Sequence, residues 1–579
     1  MKKIRTAAIA ITLVFATGIQ GTAYAAGVPD EQFVVTAPTT DGRQIGINLA
    51  DEKMAALALS LLEAKTGVSN DPMSRVLTKT QCLQIGTPGC ESEKYFQYSA
   101  LLGNCDTTAT SDCISKVTAK DSSGKEYSGT FVEKFPGETS YSYIGDPTVD
   151  LPSGSSAFIV DFPEIRHKGG SLYLIVTYIQ GSRGIGEQKF KVGSFSSAIH
   201  AISKISGNFG VPGPENNLRP DHILAGRASR GGNYSTIDPT SGSKISCLMT
   251  SLKFCAVGWP LPTEVEFSLT LKLKQKVNGW LHGRLDGAEA TISSAADGDQ
   301  LLKISGKPVI VPGIFKWFKQ TDMPTPLKSF YATFSETQMR AGGSGWQGLN
   351  GEIDGPDGLP FSIMKENFGY GEGSFREVSA WIDAVGDKAT YAPTVWTFRS
   401  IEGQQYENCM KGSDSLSGIV TTNSTMYIGN PPTFNQADQT LDYKVMAPHY
   451  LPDGSEFKGS YDLLIKGDVA RCIYKFSNAP ISASVSIISS DGTSQVATTV
   501  VGERDGWLTL SAKGFTFSAP TLRVKLSQAA PAPVVEAAPV QAPAKVQTPK
   551  KKTISCVKGK TVKKVTAVKP TCPTGFKKK

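Results

Sequence analysis

The carboxylate pair best suited to chemistry lies in the segment Gly351-Glu352-Ile353-Asp354-Gly355. Alternate side chains of a β-strand point to the same side, so Glu352 and Asp354 would face one groove if this segment were a strand. Such a pair can supply the nucleophile and the supporting carboxylate of a β-sandwich enzyme that cleaves polysaccharides. A polysaccharide hydrolase is therefore one hypothesis of function.

The same segment is similar to the Glu-x-Asp core of laminarinase-like enzymes, and that likeness implies a third carboxylate shortly after the pair. In this chain Pro356 and Asp357 stand in that region. The glycines and prolines around the pair also favour a turn over a strand. Catalysis by Glu352 and Asp354 is therefore kept as the alternative, and no residue is assigned as catalytic.

Six tryptophans are concentrated between residues 244 and 401. An exposed indole can stack on a sugar ring, whereas a buried indole contributes to core packing. Core packing is expected for most of the six. Trp346 follows a glycine-rich stretch and is the one expected to be exposed, and Trp280 is the second candidate for glycan binding.

Metal and cofactor chemistry has little support in the sequence. No His-Glu-x-x-His motif occurs, and no Gly-x-Ser-x-Gly motif indicates a nucleophilic serine. The Asp-Gly segments at 297–299 and 354–358 do not complete a calcium loop and are interpreted as turns. We expect no metal and no cofactor. The five histidines, expected to be surface or hydrogen-bonded residues, are His167, His200, His222, His282 and His449.

The chain has ten cysteines, an even number, and no Cys-x-x-Cys motif. Three neighbouring pairs have the same short spacing, which suits local loops closed by disulfides. Sequence alone leaves the connectivity open. Disulfides are the expected state, and they are typical of exported proteins. The neighbours are Cys82 with Cys90, Cys105 with Cys113, Cys247 with Cys255, Cys409 with Cys472, and Cys556 with Cys572.

Residues 550–579 contain eleven lysines and no acidic residue. The whole chain has a formal net charge of +8, so the part without these lysines and the three cations near Met1 carries −6. The basic character belongs to the tail, and nucleic-acid binding by the body is not supported. We expect the tail to bind anionic cell-wall polymers or the envelope surface, and a merely solubilising end is the alternative. The candidate binding residues are Lys558, Lys560, Lys563 and Lys564.

Residues 1–25 have the pattern of a secretory signal peptide, with basic residues, an apolar run and the cleavage site Ala23-Tyr24-Ala25. The apolar run is shorter than the about 20 residues that a membrane span needs. No later run is long enough either. We therefore expect a secreted, extracellular chain that is associated with the cell wall or surface and has no membrane span after cleavage.

The pattern of the remaining chain is mostly that of β-strands. Short runs rich in Val, Ile, Thr, Phe and Tyr are separated by Gly, Pro, Asp and Ser. One helix is predicted near residues 50–66, where Ala, Leu, Met, Glu and Lys dominate. The predicted fold is all-β, with tandem β-sandwich-like domains cross-linked by disulfides. The clearest predicted strands are 157–162, 171–179, 265–274, 301–311, 483–489 and 508–517.

Changes in composition divide the chain into predicted domains. Gly, Pro, Asn and Ser accumulate at 206–243, and the Ala/Pro-rich stretch 528–549 is expected to be an extended spacer. The predicted organisation is a signal peptide at 1–25, an N-terminal helix and β domain with two short Cys loops at 26–205, a loop or linker at 206–243, a Trp-rich β domain at 244–401, a C-terminal β domain at 402–527, a linker at 528–549 and a lysine-rich two-cysteine tail at 550–579.

The segments 553–560, 563–568 and 572–579 surround the last two cysteines with Lys, Thr, Val and Gly. Together with the stretch 470–520, they resemble the end of many uncharacterised secreted proteins of actinobacteria. The resemblance implies a location at the cell surface or outside the cell, and it carries no known reaction.

The leading expectation is a non-enzymatic surface protein for adhesion, ligand binding or envelope structure. In this hypothesis the tail is an electrostatic anchor, and glycans are possible partners of the body. An exported polysaccharide-acting hydrolase that uses Glu352 and Asp354 is the alternative.

Overall fold

A computed structural model describes much of the body of the chain and its C-terminal end. The chain divides into two compact units, 1–527 and 528–579. The described residues are 44–49, 60–66, 78–107, 109–137, 142–206, 236–237, 244–245, 247–251, 253–332, 346–348, 362–365, 372–401, 409, 416–477, 481–488, 494–496, 498–517, 521–528 and 550–579.

A sheet of fifteen strands runs through the first unit. Its strands are antiparallel except at one pair, where Gly279–Arg284 lies parallel to Leu416–Thr422. The main path is Thr78–Gln81 (β3), Leu61–Thr66 (β2), Tyr95–Leu101 (β4), Leu172–Arg183 (β9), Lys191–Ser206 (β10), Thr397–Ser400 (β24), Gly279–Arg284 (β16), Leu416–Thr422 (β25), Gly459–Lys466 (β29), Trp507–Phe515 (β33) and Thr498–Arg504 (β32). The other strands are Thr130–Phe135 (β7) on Ala157–Asp161 (β8), which pairs with β9, and Cys247–Thr250 (β13) on Phe254–Trp259 (β14), which pairs with β10.

A five-stranded sheet packs against one face of the fifteen-stranded sheet. Leu269 and Leu271 of the smaller sheet belong to the same buried cluster as Leu281 and Phe398 of the larger one. Burial of apolar surface between the two sheets is the main stabilising contribution here. The order of the smaller sheet is Asp286–Ser294 (β17), Gln300–Lys307 (β18), Glu266–Leu273 (β15), Cys113–Lys120 (β5) and Glu126–Ser128 (β6).

A second core lies on the opposite face of the fifteen-stranded sheet. Leu464 of β29 belongs to the first core, whereas its neighbours Leu463 and Ile465 belong to the second, because alternate residues of a strand face opposite sides. A six-stranded sheet covers this second core with residues such as Tyr443 and Val524. Its strands are Met426–Tyr427 (β26), Thr440–Met446 (β28), Thr521–Gln528 (β34), Ile481–Ile488 (β30) and Ser494–Val496 (β31), with Thr433–Asn435 (β27) on β28.

A four-stranded sheet and two helices enclose a further cluster of buried residues. Within it, the Tyr331 hydroxyl donates to Glu377 Oε1 and accepts from Trp381 Nε1, both at 2.8 Å, so three buried polar groups satisfy one another. The strands are Ile314–Lys319 (β20), Gln44–Leu49 (β1), Ser362–Lys365 (β22) and Trp346–Gly348 (β21), and the helices are Thr325–Tyr331 (α1) and Glu372–Ala384 (α2).

Smaller elements complete the described part of the first unit. Two short pairs are Thr236–Ile237 (β11) with Lys244–Ile245 (β12), and Val309–Ile310 (β19) with Thr394–Val395 (β23). Pro147–Val149 and Gln320–Asp322 are 3-10 turns, and Gly467–Tyr474 (α3) is a short helix. No helix in the described part of the chain is both long and apolar enough to cross a membrane.

The all-β prediction is confirmed. Five of the six clearest predicted strands coincide with one observed strand each, within a few residues at the ends, and the sixth, 301–311, spans the two strands β18 and β19. On β15 the side chains of Phe267, Leu269, Leu271 and Leu273 are fully buried, as the alternation in the sequence indicates. The alternation of apolar and polar residues therefore predicts this strand correctly.

The helix predicted near residues 50–66 is wrong for residues 61–66, which form strand β2. This strand pairs with both β3 and β4, and Leu62 and Ala64 point into the core. The helix propensity of Leu, Glu, Ala and Lys amounts to only a few tenths of a kcal/mol per residue, so two ladders of strand pairing outweigh it. Residues 50–59 lie outside the described residues.

Four of the five expected disulfides are present, and the described cysteines include no free thiol. Cys255 is also disulfide-bonded, but the side chain of its expected partner Cys247 lies outside the described ones. The four observed bonds are Cys82–Cys90, Cys105–Cys113, Cys409–Cys472 and Cys556–Cys572.

The segments predicted as body domains share one sheet. The fifteen-stranded sheet contains β10 from residues 26–205, β16 and β24 from 244–401, and β29 from 402–527. Strand β24 lies between β10 and β16, so strands distant in sequence are direct neighbours. The composition changes that suggested separate bodies mark segments of one continuous architecture.

Candidate functional site

The lysine-rich C-terminal end folds as a three-stranded antiparallel sheet. Lys552–Lys558 (β35) lies in the middle, between Thr561–Ala567 (β36) and Lys577–Lys578 (β37). Gly559 and Lys560 form the two-residue turn between β35 and β36, and Gly559 has a φ of 61°. Such a turn needs a residue that tolerates positive φ, which glycine does without steric cost.

A single disulfide forms the centre of this lysine module, residues 550–579. Cys556 is fully buried and bonds to Cys572 across the loop that follows β36. Phe576 is half-buried, and the ammonium group of Lys563 lies 6.0 Å from its ring centroid. The apolar interior is therefore very small, and the cross-link supplies much of the constraint on the fold.

The strand register distributes the lysines over both faces of the module. Lys563, Cys556 and Lys578 lie side by side across the three strands, so the two lysines share one face, roughly 10 Å apart. Lys564 pairs with Ser555 and lies on the other face. All eleven lysines of the module are exposed. The positive charge therefore surrounds the module instead of lining a single cleft.

The four predicted binding lysines thus occupy different positions of one small surface. Lys558 ends β35, Lys560 lies in the turn, and Lys563 and Lys564 are adjacent on β36. No carboxylate lies within 550–579 to neutralise them. Close like charges repel, so an approaching polyanion would relieve this repulsion as well as gain direct attraction.

Trp280 is not the exposed sugar platform that the sequence suggested. Its side chain is 2% exposed and packs against Gly418, where any Cβ would collide with the indole ring. The residue is buried because it lies on the face of β16 that meets the second core. Trp280 nevertheless lines a pocket at the start of its strand.

The structure describes only part of the other candidates in the Trp-rich segment. Trp346 begins strand β21, but its side chain lies outside the described ones. Glu352 and Asp354 lie outside the described residues altogether. Nowhere in the described part of the chain do three or more His, Cys, Asp or Glu side chains gather as metal ligands.

The sequence did not reveal a cluster of the buried His282, Arg284 and Tyr427 with the half-buried Arg399. The imidazole of His282 stacks on the Tyr427 ring at a centroid distance of 3.5 Å, and the Arg284 guanidinium lies 4.7 Å from the same ring. Arg399 donates a hydrogen bond to the Tyr427 hydroxyl. Burial, together with the two nearby arginines, holds the pKa of His282 well below its usual value, so its ring is neutral.

This cluster is part of the interior packing. His282 and Arg284 are 2% and 1% exposed. The sequence pattern that could have indicated this cluster is the alternation Trp280-x-His282-x-Arg284, which places three large side chains on one face of a strand. Without knowledge of the neighbouring strands, that alternation did not show whether the face was covered.

Asp462 of β29 is a second buried polar group that the sequence did not reveal. Its Oδ2 accepts hydrogen bonds from the backbone N–H of Gly287 at 2.8 Å and from the Thr421 hydroxyl at 3.3 Å. Burial raises the pKa of Asp462, and nearby Asp286 raises it further. Lys513 forms an ion pair with Asp286 at 2.6 Å and opposes the shift.

The raised pKa of Asp462 predicts a specific dependence of stability on pH. A carboxyl group whose pKa is higher in the folded state contributes most below its unfolded value of about 3.8, and this contribution is lost as the pH rises through the folded value. Asp462→Asn keeps an acceptor for Gly287 but does not ionise. We expect the free energy of unfolding of the variant, relative to the original chain, to improve between pH 4 and pH 7, as measured by urea unfolding. A difference that is constant over this range would contradict the assignment.

No protein-family model matches the chain, and no curated protein is significantly similar to it.

Proposed function

We propose that this chain is an exported, envelope-associated binding protein without enzymatic activity, held to anionic cell-wall polymers by its lysine module. The observation that carries the proposal is the exposure of eleven lysines, with no acidic residue, on a small folded unit. Charge of one sign at this density attracts polyanions over several ångströms before any specific contact forms.

The arrangement of the lysines favours a polymer over a small anion. Lys563 and Lys578 lie on one face, Lys564 on the other and Lys560 at the tip of the hairpin. A small ligand needs convergent groups in a concave site. Groups that diverge in several directions suit a chain of repeated anionic units that can contact many of them at once.

Two further features support an extracellular setting. Four disulfides join described cysteines of the chain, and such bonds are typical of exported proteins. The pattern of residues 1–25 is that of a cleaved leader. The anionic polymers available outside a bacterial cell include teichoic-type phosphate polymers and the carboxylates of peptidoglycan, and both would attract the module.

The test is co-sedimentation of the purified mature chain with isolated bacterial cell walls, before and after removal of teichoic-type polymers. The variant carries Lys558, Lys560, Lys563 and Lys564 changed to Gln. We expect its affinity at about 0.1 M salt to fall at least tenfold, because each lysine near an anionic surface contributes up to about 1 kcal/mol. Binding of the original chain should fade near 1 M salt, where the screening length drops from about 10 Å to about 3 Å.

The matched control changes four exposed lysines of the body, Lys134, Lys168, Lys253 and Lys307, to Gln. It alters the net charge of the chain by the same amount but leaves the module intact, so its binding should equal that of the original chain. Equal losses in both variants would mean that overall charge, and not the module, causes binding. Undiminished binding of the module variant would overturn the proposal.

A further inference from the structure

A pocket of about 390 Å³ lies in the first unit, where strand β16 begins and strand β24 ends. The start of β10 and the loop 275–278 form its other walls. This volume is within the range of small-molecule sites in proteins. Gly279, with a φ of 78°, makes the turn through which the loop enters β16.

Hydrogen bonds fix the walls of this pocket. A bulge at Gly193 shifts the register of β10 and frees the backbone N–H of Val192, which donates to Gln275 Oε1 at 3.3 Å. Gln275 Nε2 in turn donates to the carbonyl oxygen of Asp150 at 2.7 Å. The Phe195 N–H donates to the Ser400 hydroxyl at 2.9 Å. The site is therefore preorganised by a local departure from regular strand pairing, a feature that recurs near binding sites.

The charged groups of the lining are all positive. Lys191 and Lys276 line the pocket, and no carboxylate does. Lys191 forms an ion pair with Glu187 at 2.5 Å, outside the lining. Lys276 is exposed and has no ion-pair partner among the described residues. The pocket therefore has a positive potential that favours an anionic ligand.

Uncharged hydrogen-bonding groups accompany these lysines. Asn278 is exposed at the rim and has both a donor and an acceptor to offer. The Ser400 hydroxyl, which accepts from the Phe195 N–H, is a further group of the lining and can itself donate to a ligand.

We propose that this pocket binds an anionic saccharide unit, of monosaccharide or disaccharide size. The acidic group pairs with Lys276 and Lys191, while hydroxyl or ring oxygens bond to Asn278 and the Ser400 hydroxyl. The site goes beyond the proposed wall anchoring and does not depend on the lysine module.

The experiment is calorimetric titration of the full mature chain with D-glucuronate, glucose 6-phosphate and glucose. We expect binding of at least one of the two acids and little or none of glucose, and the stronger acid identifies carboxylate or phosphate as the preferred group. Lys276→Ala should weaken binding about tenfold or more, because it removes a charged hydrogen bond. Since Lys276 is exposed, this variant should keep the thermal stability of the original chain.

Lys307→Ala is the matched control, because Lys307 is an exposed lysine away from the pocket. It should bind the acid as the original chain does. The chain with four lysines of the module changed to Gln should also bind normally, which separates this site from the wall anchor. Failure of both acids to bind, or equal affinity of Lys276→Ala and the original chain, would overturn the proposal.

Discussion

Trp396→Ala should lower the free energy of unfolding of the body by about 3–5 kcal/mol, the usual range for removal of a large aromatic side chain from a core. Trp396 is fully buried in the core between the fifteen-stranded and five-stranded sheets. Its ring packs edge-on against Phe398 at a centroid distance of 5.5 Å. Its indole N–H donates to the carbonyl oxygen of Gly306 at 2.8 Å, so the side chain connects the two sheets.

Chemical unfolding followed by circular dichroism measures this loss, and Trp396→Phe separates its two causes. Phenylalanine keeps most of the packed ring but leaves the carbonyl of Gly306 without the indole donor. We expect this variant to lose about 1–3 kcal/mol, the cost of a buried polar group without its partner. A loss below about 1 kcal/mol in Trp396→Ala would show that the two sheets do not depend on this contact.

Replacement of both Cys556 and Cys572 by Ser should unfold the lysine module while much of its attraction to cell walls remains. A module of this size is below the length at which a core alone usually maintains a fold. The disulfide closes a loop with a sequence separation of 16, which corresponds to about 3 kcal/mol. Cys556 is also the one buried side chain among residues 550–579. Loss of the bond therefore removes most of what stabilises the sheet.

Hydrogen–deuterium exchange of the full chain measures this result. Peptides covering 552–567 should lose their protection in the double serine variant, and those of the body should not. Cys105→Ser with Cys113→Ser is the control, since it removes a disulfide of the body and should leave the module protected. Protected amides in the variant without Cys556 and Cys572 would contradict the prediction. Wall binding lost together with the fold would mean that the positions of the lysines, and not only their charge, matter.

Local patterning predicted the strands of this chain well. On β15, apolar and polar residues alternate, and this pattern can be read from the strand's own residues whichever strands pair with it. The segment 61–66 shows the opposite case, because its residues favour a helix in isolation and its pairing with β3 and β4 decides the outcome. That pairing involves the next two strands of the chain, and the residues of 61–66 by themselves do not reveal it.

The two candidate sites also differ in whether the sequence alone could reveal them. The lysine module could be recognised from the sequence because density of charge does not depend on the fold. The pocket could not, because Lys191, Lys276 and Ser400 come from three separate segments and meet only through the order of the strands. The sequence identified Trp280 as a candidate, but for the wrong reason: its side chain is buried and lines a pocket, and it is not exposed on an open surface.

The position of β24 between β10 and β16 has a consequence for how the chain folds. Strands β10 and β16 cannot be joined in the sheet until residue 400 is available, although β10 ends at residue 206. Contacts of such long sequence separation form slowly, since the intervening chain must first lose its freedom. Until then the side of β10 that β24 will cover is an open strand edge, able to pair with other chains. Partly folded copies of the body must therefore be kept apart from one another until late in folding if they are not to aggregate.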